Sequence, residues 1–266
     1  MMAAVTTISP ARERKCPMTS LTIPERLARL DRAHAEGKII RYAWGDGANP
    51  ASLLFWYSPE ARASEDARAC PADAMPPWLA HLTVWLDDAP SEAAWPGVIA
   101  RYVRVLPRLL ALAPERLVRL DYECRAIAVR EARAHTEDPP ARVGIDGVLV
   151  LLDRAAIGGA VQRMEWEEAA KAAARAAGVA AKAAAWAAGA AGAEAWAAAW
   201  AAWAAVDAAW TEAWAEAWAE AWAEAAWTAA AEDASTAASK AAADRMADAM
   251  LTAIERAIEE GQEIST

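Results

Sequence analysis

A chain of 266 residues has room for one or two domains at roughly 150 residues each. Its formal net charge of −10 is unevenly placed: up to Gln162 there are 20 Lys+Arg and 20 Asp+Glu, and from Arg163 on there are 7 and 17. A neutral first part and an acidic second part speak against a nucleic-acid-binding tail, which needs clustered Lys and Arg for phosphate contacts, and fit solubility or a basic protein surface.

Residues 1–20 read as a disordered leader. Arg12, Arg14 and Lys15 follow the mildly apolar stretch, which is the wrong order for a secretory signal, and Met18 is an equally good start. From 21 to 160 the pattern predicts a compact multi-helix domain punctuated by proline. Thr22 caps a helix with Pro24 in its first turn and Glu25 completing a capping box, and Gly37 ends it. Ser58-Pro59-Glu60 starts another helix in the same way, and further starts fall at Asp73 to Pro77, at Ser91 and at Pro114-Glu115. The last leads into a long amphipathic run, Arg116 to His135, with Leu117, Leu120, Tyr122, Ile127 and Val129 on its apolar side. Ile39 to Trp44 is the one strand-like stretch. Asp138-Pro139-Pro140 reads as a break, after which Ile145 to Ile157 forms one more apolar helix, closed by Gly158-Gly159. Trp44, Trp56, Trp78, Trp85 and Trp95 are expected in the core.

After Gly159 the composition changes. Proline is absent from Ala141 onward, alanine dominates, and alanine is the best helix former. Residues 163–260 are therefore expected as a long Ala/Trp-rich helical arm, which makes the chain all-α. The stretch Thr211 to Trp227, TEAWAEAWAEAWAEAAW, is a tetrapeptide repeat of low complexity. At ~100° per residue, Trp186, Trp196, Trp200, Trp203, Trp210, Trp214, Trp218 and Trp222 fall in a sector roughly 120° wide. Trp227 falls outside it. Glu212, Glu216, Glu220 and Glu224 lie on the opposite side, and Asp207 is alone inside the Trp stripe. Left in water, these indoles would exceed the few hundred Å² of apolar patch that soluble monomers usually show, so they need a cover. Lys171, Arg175 and Lys182 share a face and are followed by a long cation-free acidic run, an order that suits a hairpin turning near Gly189 to Gly192. The alternative is a single rod of ~140 Å, at 1.5 Å per residue.

Three cysteines, Cys16, Cys70 and Cys124, are a poor disulfide framework and point to a reducing, cytoplasmic setting. Cys70 and His81 are eleven apart, as are Cys124 and His135, too far for the short ligand pairs of a zinc motif, so no metal site is expected. Asp87-Asp88 reads as a helix C-terminus or a turn and not as an acid/base pair. Gly45-Asp46-Gly47 lacks the context of a phosphate loop, no nucleophile sits in a recognisable catalytic setting, and no cofactor is implied. A membrane span needs about 20 consecutive apolar residues, and the runs Ala183 to Ala193 and Ala195 to Val206 are interrupted by Glu194.

ACPADAMPPWLAHLTVWLDD (Ala69 to Asp88), RLDYECRAIAVREA (Arg119 to Ala132) and ADRMADAMLTAIERAI (Ala243 to Ile258) together resemble a group of bacterial and prophage proteins. The resemblance implies a Trp-containing helical domain followed by an Ala/Trp/Arg tail of variable length, and it carries no activity or site residues. The tail here is richer in Glu. The alanine-rich helices alone are also similar to bacterial immunity proteins of toxin systems. Taken together, these features predict a non-enzymatic helical protein that binds a protein partner or itself through the Trp stripe. The alternatives are a purely structural bundle, or an enzyme with its site within 21–160.

Overall fold

A computed structural model describes residues 21–42, 50–136, 139–169, 171–172 and 234–263. The chain is all-α, as its composition requires. The helices are α1 (Ile23–Ala35), α2 (Leu53–Tyr57), α3 (Pro59–Ser64), α4 (Pro77–Asp88), α5 (Trp95–Leu109), α6 (Pro114–His135), α7 (Pro139–Ala156) and, after the short helical segment 163–169, α8 (Ala234–Glu263). Among the described residues no strand forms. Of the strand-like stretch only Ile39 pairs, in one isolated parallel bridge with Ala51, and Tyr42 leaves it in the left-handed region at φ 58.

The ends of α1 follow from its sequence. Glu25 reaches back to accept from the Thr22 N–H and the Thr22 hydroxyl, each at 2.8 Å, which serves a donor the helix cannot. At the other end Gly37 takes φ 65; its N–H donates to the His34 carbonyl at 3.1 Å and the Lys38 N–H to that of Ala33 at 2.8 Å. This is the Schellman closure, which favours glycine. Ser58 caps α3 by accepting from the Ala61 N–H at 3.2 Å. The expected break separates α6, which ends at His135, from α7, but the prolines belong to the new helix. α7 starts at Pro139, six residues before the expected Ile145, because a proline at the first helical position has the required φ and lacks an N–H that no carbonyl would have met.

The main core lies where α1, α2, α4, α5, α6 and α8 meet, and is built of Leu30, Leu53, Leu54, Tyr57, Leu79, Leu86, Ile99, Tyr102, Leu106 and Leu109 with residues of α8. Of the tryptophans expected there, Trp56 is buried, Trp78, Trp85 and Trp95 are partly buried against it, and Trp44 lies outside the described residues. The indole N–H explains the edge positions, since it needs an acceptor: that of Trp56 donates to the Lys38 carbonyl at 3.0 Å and that of Trp95 to Asp87 Oδ1 at 3.1 Å. The two buried tyrosine hydroxyls are likewise satisfied, Tyr57 by the Ala74 carbonyl and Tyr102 by Thr83, both at 2.6 Å.

One ion pair is built into this core. Arg26 is fully buried and meets Glu60 with both terminal nitrogens, at 2.7 and 2.6 Å, while its Nε donates to the Leu21 carbonyl at 3.0 Å. The guanidinium, helped by Ser58, holds the Glu60 carboxyl down at about 2, from 4.5. Because the folded value is the lower, the pair's stabilisation is present above pH 4.5 and is lost as pH falls through about 2. In an acid titration followed by circular dichroism, Glu60→Gln should lower stability at neutral pH and flatten the acid limb; an unchanged limb would place the acid sensitivity elsewhere.

α8, at the far end of the stretch that composition groups with the arm, packs between α5 and α6. Its residues Ala243, Met246, Ala247, Met250, Leu251, Ala253, Ile254, Ala257 and Ile258 are buried, the i, i+3, i+4, i+7 stripe of a core-facing helix. Charges line both edges. Arg101 bridges Glu255 at 2.6 Å and Asp248 at 2.7 Å, Arg104 adds to Glu255 at 3.1 Å, and on the α6 side Arg245 pairs with Glu131, Arg256 with Glu123 and Arg116 with Glu260. Burying each large apolar side chain contributes roughly 1.5–3 kcal/mol, and each exposed ion pair about 0–1 kcal/mol. The apolar stripe therefore holds α8 down, and the ion pairs set its register.

Candidate interaction surface

All nine residues expected to form the interaction stripe, Trp186, Trp196, Trp200, Trp203, Asp207, Trp210, Trp214, Trp218 and Trp222, lie outside the described residues, as do Trp227, Arg175 and Lys182. What the structure places is the chain on either side of them. At the near side, the Gln162 N–H donates to Glu165 Oε2 at 2.8 Å, which caps segment 163–169, and Glu165 also pairs with Arg154 of α7. Trp166 is buried and stacks on Tyr122 of α6, ring centres 5.9 Å apart and planes 9° from parallel. It completes a second, smaller core with Ala126, Val129, Ile145, Val148, Leu151, Leu152 and Ala155. At the far side stands α8. The described flanks of the Trp-bearing stretch thus both pack on α6, the near one through Trp166 and the far one through α8.

The described residues hold one further cluster with chemical character. Asp87, at the last turn of α4, is fully buried. Its Oδ2 accepts from the Leu53 N–H, the first residue of α2, and its Oδ1 from the Trp95 indole at the start of α5, both at 3.1 Å. Carboxylates at a helix C-terminus face the negative end of the dipole, and Arg41 compensates. Its Nε donates to the Asp87 carbonyl at 3.1 Å, and its Nη2 to those of Asp88 at 2.5 Å and Pro90 at 2.6 Å. Burial pushes the Asp87 carboxyl up from 3.8 to about 7, against the pull of the two N–H groups and Arg41. With each oxygen accepting one hydrogen bond and the side chain shut off from solvent, Asp87 fastens three helix ends together. The expectation of a helix terminus at Asp87-Asp88 holds; the burial was not foreseen.

The sign for Asp87 is opposite to that for Glu60. Its folded value is the higher, so stability is fullest below pH 3.8 and falls as pH rises through about 7. Asp87→Asn removes this slope and sets an amide NH₂ against one of the two N–H donors, at a cost of ~1–3 kcal/mol. Urea unfolding at pH 5 and pH 8 should give a smaller difference for the variant than for the parent; an equal difference would rule out Asp87 as its source.

Cys70 and Cys124 are buried free thiols, and burial pushes the pKa of both up, disfavouring the thiolate. His135 pairs with Glu131 at 3.0 Å, and among the described residues no three of His, Cys, Asp or Glu are grouped as a metal ion would need. None of their helices is long and apolar enough to cross a membrane. Comparison with protein-family models, with curated proteins and with solved structures finds no match to this chain.

Proposed function

We propose that this chain is a non-enzymatic helical interaction protein, which uses the Trp face Trp186 to Trp222, with Asp207, to associate with a second copy or with a protein partner. The observation that carries the reading is the anchoring of both flanks of the Trp-bearing stretch on one body, through Trp166 and through α8. A body that holds both ends of a Trp-rich stretch limits the entropy that stretch loses on binding, and tryptophan is enriched at binding hot spots. The two free thiols fit a cytoplasmic setting. Nucleic acid is not the partner, because the charge excess has the wrong sign; duplex DNA should bind no better than to an acidic control protein at moderate salt, and sub-micromolar, salt-sensitive binding would reverse that statement.

The reading is tested by sedimentation over a range of concentrations together with acrylamide quenching of the indoles. It expects self-association above the 28.3 kDa monomer, with the arm indoles shielded in the associated form. A strict monomer whose arm indoles are already shielded would make the Trp face an internal core and overturn it.

A further inference from the structure

We propose that Arg29 and Arg62, set against Trp56, form a binding site for the phosphoryl group of a phosphate monoester. Trp56 is the fixed wall of this site: it is 9% exposed, and its indole N–H donates to the Lys38 carbonyl at 3.0 Å. Arg29 of α1 and Arg62 of α3 both stand over its ring, each with the guanidinium carbon 5.5 Å from the ring centre. A cation is attracted to the face of an indole, but two on one ring bring like charges together. Arg29 registers this, since burial first and the Arg62 charge second lower its pKa.

The neighbouring acid does not relieve it. Glu60 is taken up by the buried Arg26, which meets both of its oxygens at 2.7 and 2.6 Å, and by the Ser58 hydroxyl at 2.9 Å. The charges of described residues that act on Arg29 are thus two cations, Arg62 and Arg26, and one carboxylate already engaged. Among the described residues Arg29 makes no hydrogen bond or ion pair. It is half-buried, as Arg62 is, and a half-buried guanidinium that gives none of its five donors to an acceptor is an incomplete group. Arg62 holds other contacts as well, so its part is its charge and a share of its fork.

Charge selects the ligand. A carboxylate carries one negative charge and answers one guanidinium, whereas a phosphate monoester carries nearly two at neutral pH, with three strong acceptor oxygens, and so meets two forked donors at once. Two cations are too few for a nucleic-acid backbone, whose binding rests on many phosphate contacts. The site therefore suits a single phosphoryl group, and it is independent of the Trp face.

The test is isothermal titration calorimetry of the full chain with inorganic phosphate, in chloride buffer of matched ionic strength, for the parent, Arg29→Gln, Arg62→Gln and Arg108→Gln. The last removes the same charge from an exposed position on α5. Phosphate should bind the parent and Arg108→Gln alike, and bind about tenfold to a hundredfold more weakly to the other two. No binding to the parent, or equal binding by all four, would overturn the site. Acetate held as tightly as phosphate would overturn the phosphoryl class. A thermal melt without phosphate checks the fold; should Arg29→Gln melt early, Arg29→Lys, which keeps the charge and loses the fork, carries the test, and phosphate binding as tight as the parent's would again overturn the site. Vesicles of phosphatidic acid in phosphatidylcholine separate the sources: retention that Arg29→Gln abolishes places the phosphoryl group on a lipid, and phosphate binding without retention places it on a free small molecule.

Discussion

Replacing Met250 and Ile254 together by alanine should release α8 and unfold most of the compact body. Both side chains are buried, at 2% and 0% exposure, one helical turn apart on the face toward α5 and α6. Each truncation in a core of this kind costs about 2–5 kcal/mol, the lost transfer energy plus the cavity left behind. As neighbours they share that cavity, so the sum is not strictly additive. Even the lower end takes a large part of the roughly 5–15 kcal/mol that holds an ordinary domain. Urea unfolding should show a midpoint far below the parent's, or no cooperative transition. Arg104→Gln, which removes one exposed ion pair from the same helix, should cost under about 1 kcal/mol. A large loss for Arg104→Gln beside a small one for the double variant would mean that charge, not burial, holds α8 in place. Because α8 is the far anchor of the Trp-bearing stretch, the double variant should also weaken association, whereas Arg104→Gln should not.

Local signals in the sequence carry the elements of the first half. Thr22, Pro24, Glu25 and Gly37 delimit α1, and Pro114-Glu115 and His135 bound α6, because caps, prolines and glycines act through the backbone within a few residues. The break before Pro139 was legible, but the start of α7 was set six residues late, at Ile145, because a proline that closes one helix also fits the first position of the next. The place of α8 was not legible. Its buried stripe is diluted by alanine, and its partners are remote, Arg101 and Glu255 being 154 residues apart. Asp87 was hidden in another way. The two groups that satisfy it, Leu53 N–H and Trp95 Nε1, stand 34 and 8 residues off, and no spacing rule connects them. One clue was present, since two carboxylates closing the apolar run Leu82 to Leu86 sit at the wrong end of a helix dipole and call for a cation or for burial. The Trp stripe itself was legible only as a periodicity, and Trp186 to Trp222 remain assigned on that ground.

The two faces of the repeat can be set against each other in one experiment. If Trp210, Trp214 and Trp218 are packing anchors, replacing all three by alanine removes side chains whose individual loss costs ~3–5 kcal/mol when fully buried, which is enough to abolish a dimer. Replacing Glu212, Glu216 and Glu220 by glutamine touches the same repeat on its opposite face, where solvated charges contribute a few tenths of a kcal/mol. Sedimentation of the two triple variants beside the parent, with thermal melts as a check on the body, should give a monomer for the Trp variant and a parent-like dimer for the Glu variant, with the melt of the body unchanged in both. A Trp variant that associates like the parent while the Glu variant falls apart would put the working surface on the acidic side and contradict the assignment of faces.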